Sequence, residues 1–352
     1  MIGTTGKSKI SGKMLTIAAL FIIIAGLNMA AAYVVPFILA VFIAMLCAPA
    51  LFWLKRRGVP RPLAILVVMI ATMLIGFVIV AIIGTSLNDF SKSLPLYQER
   101  INDKMMLILL WLEEFGIETF DDQGLGDMVD MLDAGAAMQL VSGMLAGLKK
   151  VLTNAFLILL TVIFILLEAS SFPKKLRAVL KNPEGAMKHF DRFNHDLQRY
   201  IVIKTITSLV TGVVIWIWLT ILGVDNPLLW GFLAFLLNYI PTIGSIFAGF
   251  PPSILAFVQL GTGHMVLVII GFVVVNTVIG SFMEPRVMGR GLGLSTLVVF
   301  LSLVFWGYVF GPVGMLLAVP LTMTAKIALA TSDETRWVSV LLGSEKSEEL
   351  RT

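Results

Sequence analysis

Glu284 closes a charge-free apolar segment and opens the run Glu284-Pro285-Arg286. A carboxylate at membrane depth costs a few kcal/mol unless it is paired, so a nearby arginine such as Arg286 is its expected partner. Coupling to a proton or cation, or latching a gate, suits such a group. A salt bridge that merely fixes the end of its helix suits it equally. Arg286 and Arg290 read as part of that latch or as anchors near lipid headgroups, and Gly289, followed by Gly291 and Gly293, reads as a hinge into the next helix.

The other polar groups inside apolar stretches are neutral: Asn154, Asn238, Thr242, Ser245, Gln259 and Asn276. Amides and hydroxyls hydrogen-bond a hydroxylated, uncharged solute without burying a charge, and they also join helices to one another. Asn238 stands out because it adjoins a break, Asn238-Tyr239-Ile240-Pro241-Thr242-Ile243-Gly244-Ser245. Proline removes a backbone donor and glycine admits conformations that other residues avoid. Asn238, Pro241, Thr242, Gly244, Ser245 and Asn276 are therefore the candidate binding or gating residues. A second set of breakers, Gly311, Pro312, Gly314 and Pro320, interrupts an uncharged run from Gly291 to Ala325 and supplies candidate hinges. Paired interruptions of this kind point to a transport site built from broken helices, or to an ordinary tight hairpin.

Other constellations carry less. His189, Asp191, His195 and Asp196 are the one group resembling a metal or acid–base site, and they lie in a basic, amphipathic stretch that reads as a solvated helix. Gly3-Thr4-Thr5-Gly6-Lys7-Ser8 lacks the glycine spacing of a phosphate-binding loop. No hydrolase constellation is present, and Cys47 is the sole cysteine, which rules out an internal disulfide or a cysteine metal cluster. The expectation is a protein that is not an enzyme, with no metal, no cofactor and no nucleic-acid partner.

The elements that position these residues must lie in lipid. Of 352 residues 58% are hydrophobic and 14% charged, with a mean hydropathy of +0.94, whereas soluble domains carry about 25% charge. The net charge of +4 fits basic loops held on the cytoplasmic side. Spans are expected at Leu15–Val35, Phe37–Leu54, Leu63–Leu87, Val151–Leu167, Ile201–Leu222, Val266–Met283, Leu294–Phe310 and Val313–Leu329, with a long apolar block at Leu228–Val258. The run Leu15–Val35 reads as a retained helix and not a cleaved signal. Basic residues in the N-terminal tail and in Lys55–Arg61 place both in the cytoplasm. Asn88–Lys150, with eleven acidic and five basic residues, lies outside, and Lys174–Lys204, with eight basic and three acidic, lies inside.

Two readings of Leu228–Val258 remain. A kinked span would leave Arg286 and Arg290 outside, whereas a re-entrant hairpin breaking near Pro241 would return them to the cytoplasm. In the outer stretch Leu94, Tyr97, Ile101, Met105, Ile108, Trp111 and Phe115 recur at helical spacing. The expected fold is all-α and polytopic, of about seven to eight transmembrane helices with re-entrant or broken segments. Residues 1–87 form N-terminal spans, 88–150 a helical extracytoplasmic module, 151–331 the core with broken helices and 332–352 a cytoplasmic tail.

Three long motifs carry a resemblance. Asn238–Ser245 with Pro251-Pro252, the run Glu284-Pro285-Arg286-Val287-Met288-Gly289-Arg290-Gly291-Leu292-Gly293-Leu294-Ser295, and the tail Phe305-Trp306-Gly307 through Pro320 together resemble the autoinducer-2 exporter family. The likeness extends over nearly the whole chain. It implies a multi-pass inner-membrane protein that exports a quorum-sensing signal and bears on biofilm formation. It also implies a homo-oligomer in contact with membrane lipid, a pentamer being one such assembly. Because some relatives are described as sodium/proton antiporters, a cation/proton antiporter using Glu284 first and Glu168 second is the competing expectation.

Overall fold

The structure, a computed structural model, describes residues 18, 19, 21–114, 143, 146, 149, 153–169, 171, 175, 177, 178, 183–241, 243–288, 294–330 and 335–343. Much of the acidic outer stretch, the C-terminal tail beyond 343, and Thr242, Gly289 and Arg290 thus lie outside the described residues. Every regular element among the described residues is helical. Six helices are long and apolar enough to cross a membrane, and three shorter apolar helices accompany them. Leucine, isoleucine, valine and phenylalanine lie exposed along the six long helices. Such side chains are at home in hydrocarbon, where a helix satisfies its own backbone.

Helix α1 (Ala31–Arg56) contains Pro36 and Pro49. The expected division between two spans at Val35-Pro36 is corrected. The one interruption there falls at Ala30, between helical stretches on either side, and Pro36 is buried inside the helix. Proline is tolerated there because neighbouring groups in a membrane protein re-satisfy the single carbonyl that it frees. Helix α2 (Arg61–Glu114) has 54 residues. At 1.5 Å per residue it is about 80 Å long, against a hydrocarbon thickness of about 30 Å. The expected third span and the amphipathic stretch after it are one continuous helix. Helix α3 (Ala155–Glu168) follows, and α4 (Pro183–Leu222) begins in the basic stretch and runs on as a span from Asn194. The expected span Ile201–Leu222 thus begins earlier, and Lys204, which also counted with the basic stretch, lies inside it.

The described chain divides into two compact units that alternate along the sequence. One contains residues 62–156 and 200–289, the other residues 1–61, 157–199 and 290–352. In the first, α5 (Pro227–Leu237) and α6 (Ile243–Leu260) are separate helices. With 11 residues, about 16 Å, α5 is too short to span. The two run antiparallel: the N–H of Asp225, before α5, bonds Gln259 Oε1 at 3.1 Å near the end of α6. Leu229, Trp230, Leu233 and Ala234 of α5 share one core with Ala248, Leu255, Ala256 and Val258 of α6. Leu228–Val258 is a hairpin and not a kinked span. Ile215 and Leu219 of α4, Phe90 and Tyr97 of α2, and Val268 and Phe272 of α7 (Thr262–Val275) join the same core. Gly212 of α4 and Gly231 of α5 cross so closely that a Cβ on either would come within 2.7 Å of the other's carbonyl oxygen. Such small-residue crossings are how membrane helices gain packing contact. After α7 the helix widens into a π segment (Asn276–Met283) and ends in α8 (Glu284–Met288).

The second unit repeats one device. Helix α9 (Thr296–Leu316) breaks at Gly311, with φ 66° and ψ −152°, just before Pro312, and α10 (Ala318–Ala330) returns alongside it. Trp306 Nε1 donates to Thr322 Oγ1 across the return at 2.9 Å. Pro320 lies in the first turn of α10, where proline is well accommodated. A short helix, α11 (Arg336–Leu341), lies close by, with Ser295 N bonding Leu342 O. At both breaks a glycine sits against the carbonyl of the preceding helix. A Cβ on Gly244 would fall 1.8 Å from Leu237 O, and one on Gly314 would fall 1.9 Å from Trp306 O.

Ala at either glycine must therefore push the break apart. Gly244→Ala and Gly314→Ala are expected to lose about 1–3 kcal/mol or more, read as a lower melting temperature in detergent. Gly263→Ala, which meets nothing within 4 Å, is expected to melt like the parent or slightly above it.

Candidate functional site

The tip of the α5–α6 hairpin meets a polar stripe on α4. Lys204, Ser208 and Thr211 recur at spacings of four and three and so share one helix face. The Asn238 side-chain nitrogen donates to Ser208 Oγ at 3.0 Å, and both residues are buried. The Tyr239 and Thr205 hydroxyls bond each other at 2.6 Å. The two polar side chains at the tip thus find partners on α4, as hydrocarbon demands.

Behind the tip lies a small cavity lined by Thr211, Ala234, Asn238, Ser245, Phe272 and Asn276, among others. Its volume of about 10 Å³ is near what one water molecule needs. Three residues singled out from sequence, Asn238, Ser245 and Asn276, converge here from the hairpin and the π segment. Thr211 completes the polar lining and was missed, as were Ser208 and Lys204; the stripe they form in an apolar helix is the signal that reveals them. Pro241 and Gly244 build the tip without lining the cavity. Gln259 lies at the base of the hairpin, and Gly311, Pro312, Gly314 and Pro320 belong to the second unit.

Glu284 is paired, but not with Arg286. Lys204 Nζ donates to both of its carboxylate oxygens, at 2.7 and 2.8 Å. The lysine side chain is 5% exposed and the carboxylate 16%. The Arg286 guanidinium instead lies exposed over the Phe282 ring at 5.8 Å. The reason is directional. Arg286 follows Glu284 by two residues, and residues two apart on a helix do not face each other, whereas Lys204 is delivered by the antiparallel neighbour α4. Glu168 bonds Lys175 at an exposed helix end, with both side chains more than half exposed. His195 and Asp196, 3.5 Å apart, are likewise solvated. Among the described residues no group of histidine, cysteine or acidic side chains is arranged to hold a metal.

A second polar cluster holds the base of the hairpin. The Tyr97 hydroxyl, on α2, donates to Asp225 Oδ2 at 2.9 Å, and Gln259 Nε2 reaches both that carboxylate and the Tyr97 oxygen. Trp230 Nε1 donates to the Asp225 carbonyl at 2.9 Å, and Lys104, a further two turns along α2, bonds the Phe257 carbonyl. Burial first, and Asp225 second, hold the Tyr97 phenol above its usual value near 10.

Short interrupted helices set among long apolar ones, with a small cavity beside one break, define a polytopic α-helical membrane protein. The chain belongs to the AI-2E transporter family, whose description "AI-2E family transporter" matches residues 15–333. It is 40% identical over 335 residues to the AI-2 transport protein TqsA of Escherichia coli, covering 95% of this chain and 96% of that one. It is 41% identical over 340 residues to a putative transport protein of Haemophilus influenzae, covering 94% and 95%. The putative transport protein YhhT of Escherichia coli is 36% identical over 330 residues, covering 94% and 93%. The family resemblance carried by the three motifs is therefore borne out.

Removing one member of the Lys204–Glu284 pair leaves a buried charge alone. Lys204→Met and Glu284→Leu are each expected to cost about 3–5 kcal/mol, and the double variant much less than their sum; melting in detergent checks this. The raised Tyr97 phenol contributes stability in full below about pH 10 that is lost as pH rises through its elevated value. The melting temperature should fall as pH rises above about 10 in the parent, and Tyr97→Phe should flatten that part of the fall.

Proposed function

We propose that this protein exports autoinducer-2, or a similar small, hydroxylated and uncharged metabolite, across the bacterial inner membrane. The observation that carries the reading is the convergence of Asn238, Ser245, Asn276 and Thr211 on one cavity beside a broken hairpin. Neutral amide and hydroxyl groups replace the water around a polyol or hydroxyfuranone as it crosses, without adding a buried charge. The likeness to a protein named for autoinducer-2 transport supports the choice of solute. A cavity with room for about one water belongs to a closed arrangement, so passage requires the hairpin tip to withdraw from α4. Lys204 and Glu284 act as the latch on that movement. In this reading the chain works as a homo-oligomer, a pentamer being one such assembly, its N-terminus is cytoplasmic, and its output serves quorum sensing and biofilm formation.

The burial of Glu284 supports a second reading, a sodium/proton antiporter. There an entering cation must displace the Lys204 ammonium from both carboxylate oxygens, which disfavours it.

Reconstituted liposomes separate the two. Preloaded autoinducer-2 is expected to leave proteoliposomes faster than empty liposomes, and Asn238→Ala and Asn276→Ala should each slow efflux about two- to tenfold, the value of one hydrogen bond. Sodium-driven proton movement without autoinducer-2 flux would establish the antiporter instead.

A further inference from the structure

The eight-residue π segment Asn276–Met283 joins the two polar features of this unit, the cavity at its first residue and the ion pair immediately after its last. Its winding is explicit at Glu284, whose N–H bonds Ile279 O, five residues back instead of four. π turns inside α-helices are rare and concentrate at functional sites, and nothing in the local sequence Asn-Thr-Val-Ile-Gly-Ser-Phe-Met forces one. The winding is held by contacts at its two ends. At the far end Lys204 grips both oxygens of Glu284. At the near end the Asn276 side chain folds back along its own helix over Gly280, where a Cβ would come within 3.1 Å of Asn276 Oδ1. The missing side chain at Gly280 leaves the space that Asn276 occupies.

We propose that the π segment is a register switch through which Asn276, as a positioning residue, reports occupancy of the cavity to the Lys204–Glu284 pair. With Asn276 folded onto Gly280, the π winding aims Glu284 at Lys204. When the amide, which already lines the cavity, swings off Gly280 to hydrogen-bond a hydroxylated solute there, the segment relaxes to α winding. One residue of register is about 100° of rotation, which carries Glu284 off Lys204 and releases α4 from the end of the transport helix. The solute part of this inference rests on the proposed function; the switch itself does not.

Electron-spin labels test it in the full chain with Cys47→Ala, placed by Ile206→Cys on α4 and Val287→Cys on α8. Both positions are exposed, and Val287 turns with Glu284. Without any solute, Gly280→Ala presses a methyl on the Asn276 amide and is expected to shift the label distance by about 5–8 Å, the chord of such a rotation. Deleting Val278 removes the extra residue, so the flanks stay in place in α register. The deletion should keep the parent distance and stay unmoved when Gly280→Ala is added. An unchanged distance in Gly280→Ala alone overturns the switch, whether or not the deletion variant folds. Autoinducer-2 is then added to the labelled parent. If Gly280→Ala shifts the distance and autoinducer-2 does not, the switch stands and the choice of solute fails.

Discussion

Hydrocarbon offers no partner to a polar group, and at two breaks among the described residues polar groups are met by a specific neighbour. At the tip between α5 and α6 the answer comes from α4, through Ser208 to Asn238 and Thr205 to Tyr239. At the break in α9, Asn28 supplies its side-chain amide to the Tyr308 and Val309 carbonyls just before Gly311. The requirement that freed polar groups be met from within the protein concentrates side-chain polarity at the breaks. The candidate site and a broken helix therefore coincide for a physical reason.

The same requirement organises charge. Lys204 and Glu284 are both withdrawn from water, on α4 and at the end of the π segment. Their mutual contact is bidentate, so each balances the other where water cannot. The carboxylate is consequently not standing open to a cation. This distinguishes it from Glu168, which sits with Lys175 in an exposed position where an ion pair contributes little.

Much of this was legible in the sequence, for identifiable reasons. Pro241 marked the hairpin tip as a residue without a backbone donor and Gly244 as one with no side chain to meet the Leu237 carbonyl, and Asn238, Ser245 and Asn276 stood out as amides and hydroxyls in apolar runs. Glu284 stood out as a carboxylate at the end of a charge-free segment. Its partner did not, because pairing was sought along the chain and not across to the antiparallel helix, and Lys204 counted among the basic residues of a loop. Pro36 was given too much weight as a boundary, since a proline near a helix start frees only one carbonyl. The π segment left no trace in sequence: Asn276–Met283 contains no proline, and its winding is fixed by contacts at both ends.

The long helix α2 has a consequence of a mechanical kind. It carries no loop between its apolar half and its more polar half, so it behaves as a rod, softened at Pro95, where one backbone hydrogen bond is missing. Tyr97 fastens that rod to the base of the hairpin only two residues beyond the soft point, and Lys104 fastens it again farther out. A bending load on the far end is thus delivered to the foot of the hairpin as torque, with Pro95 as fulcrum. The hairpin is clamped at its foot by a lever and at its tip by a ladder of side chains, and it can slide only if one clamp lets go.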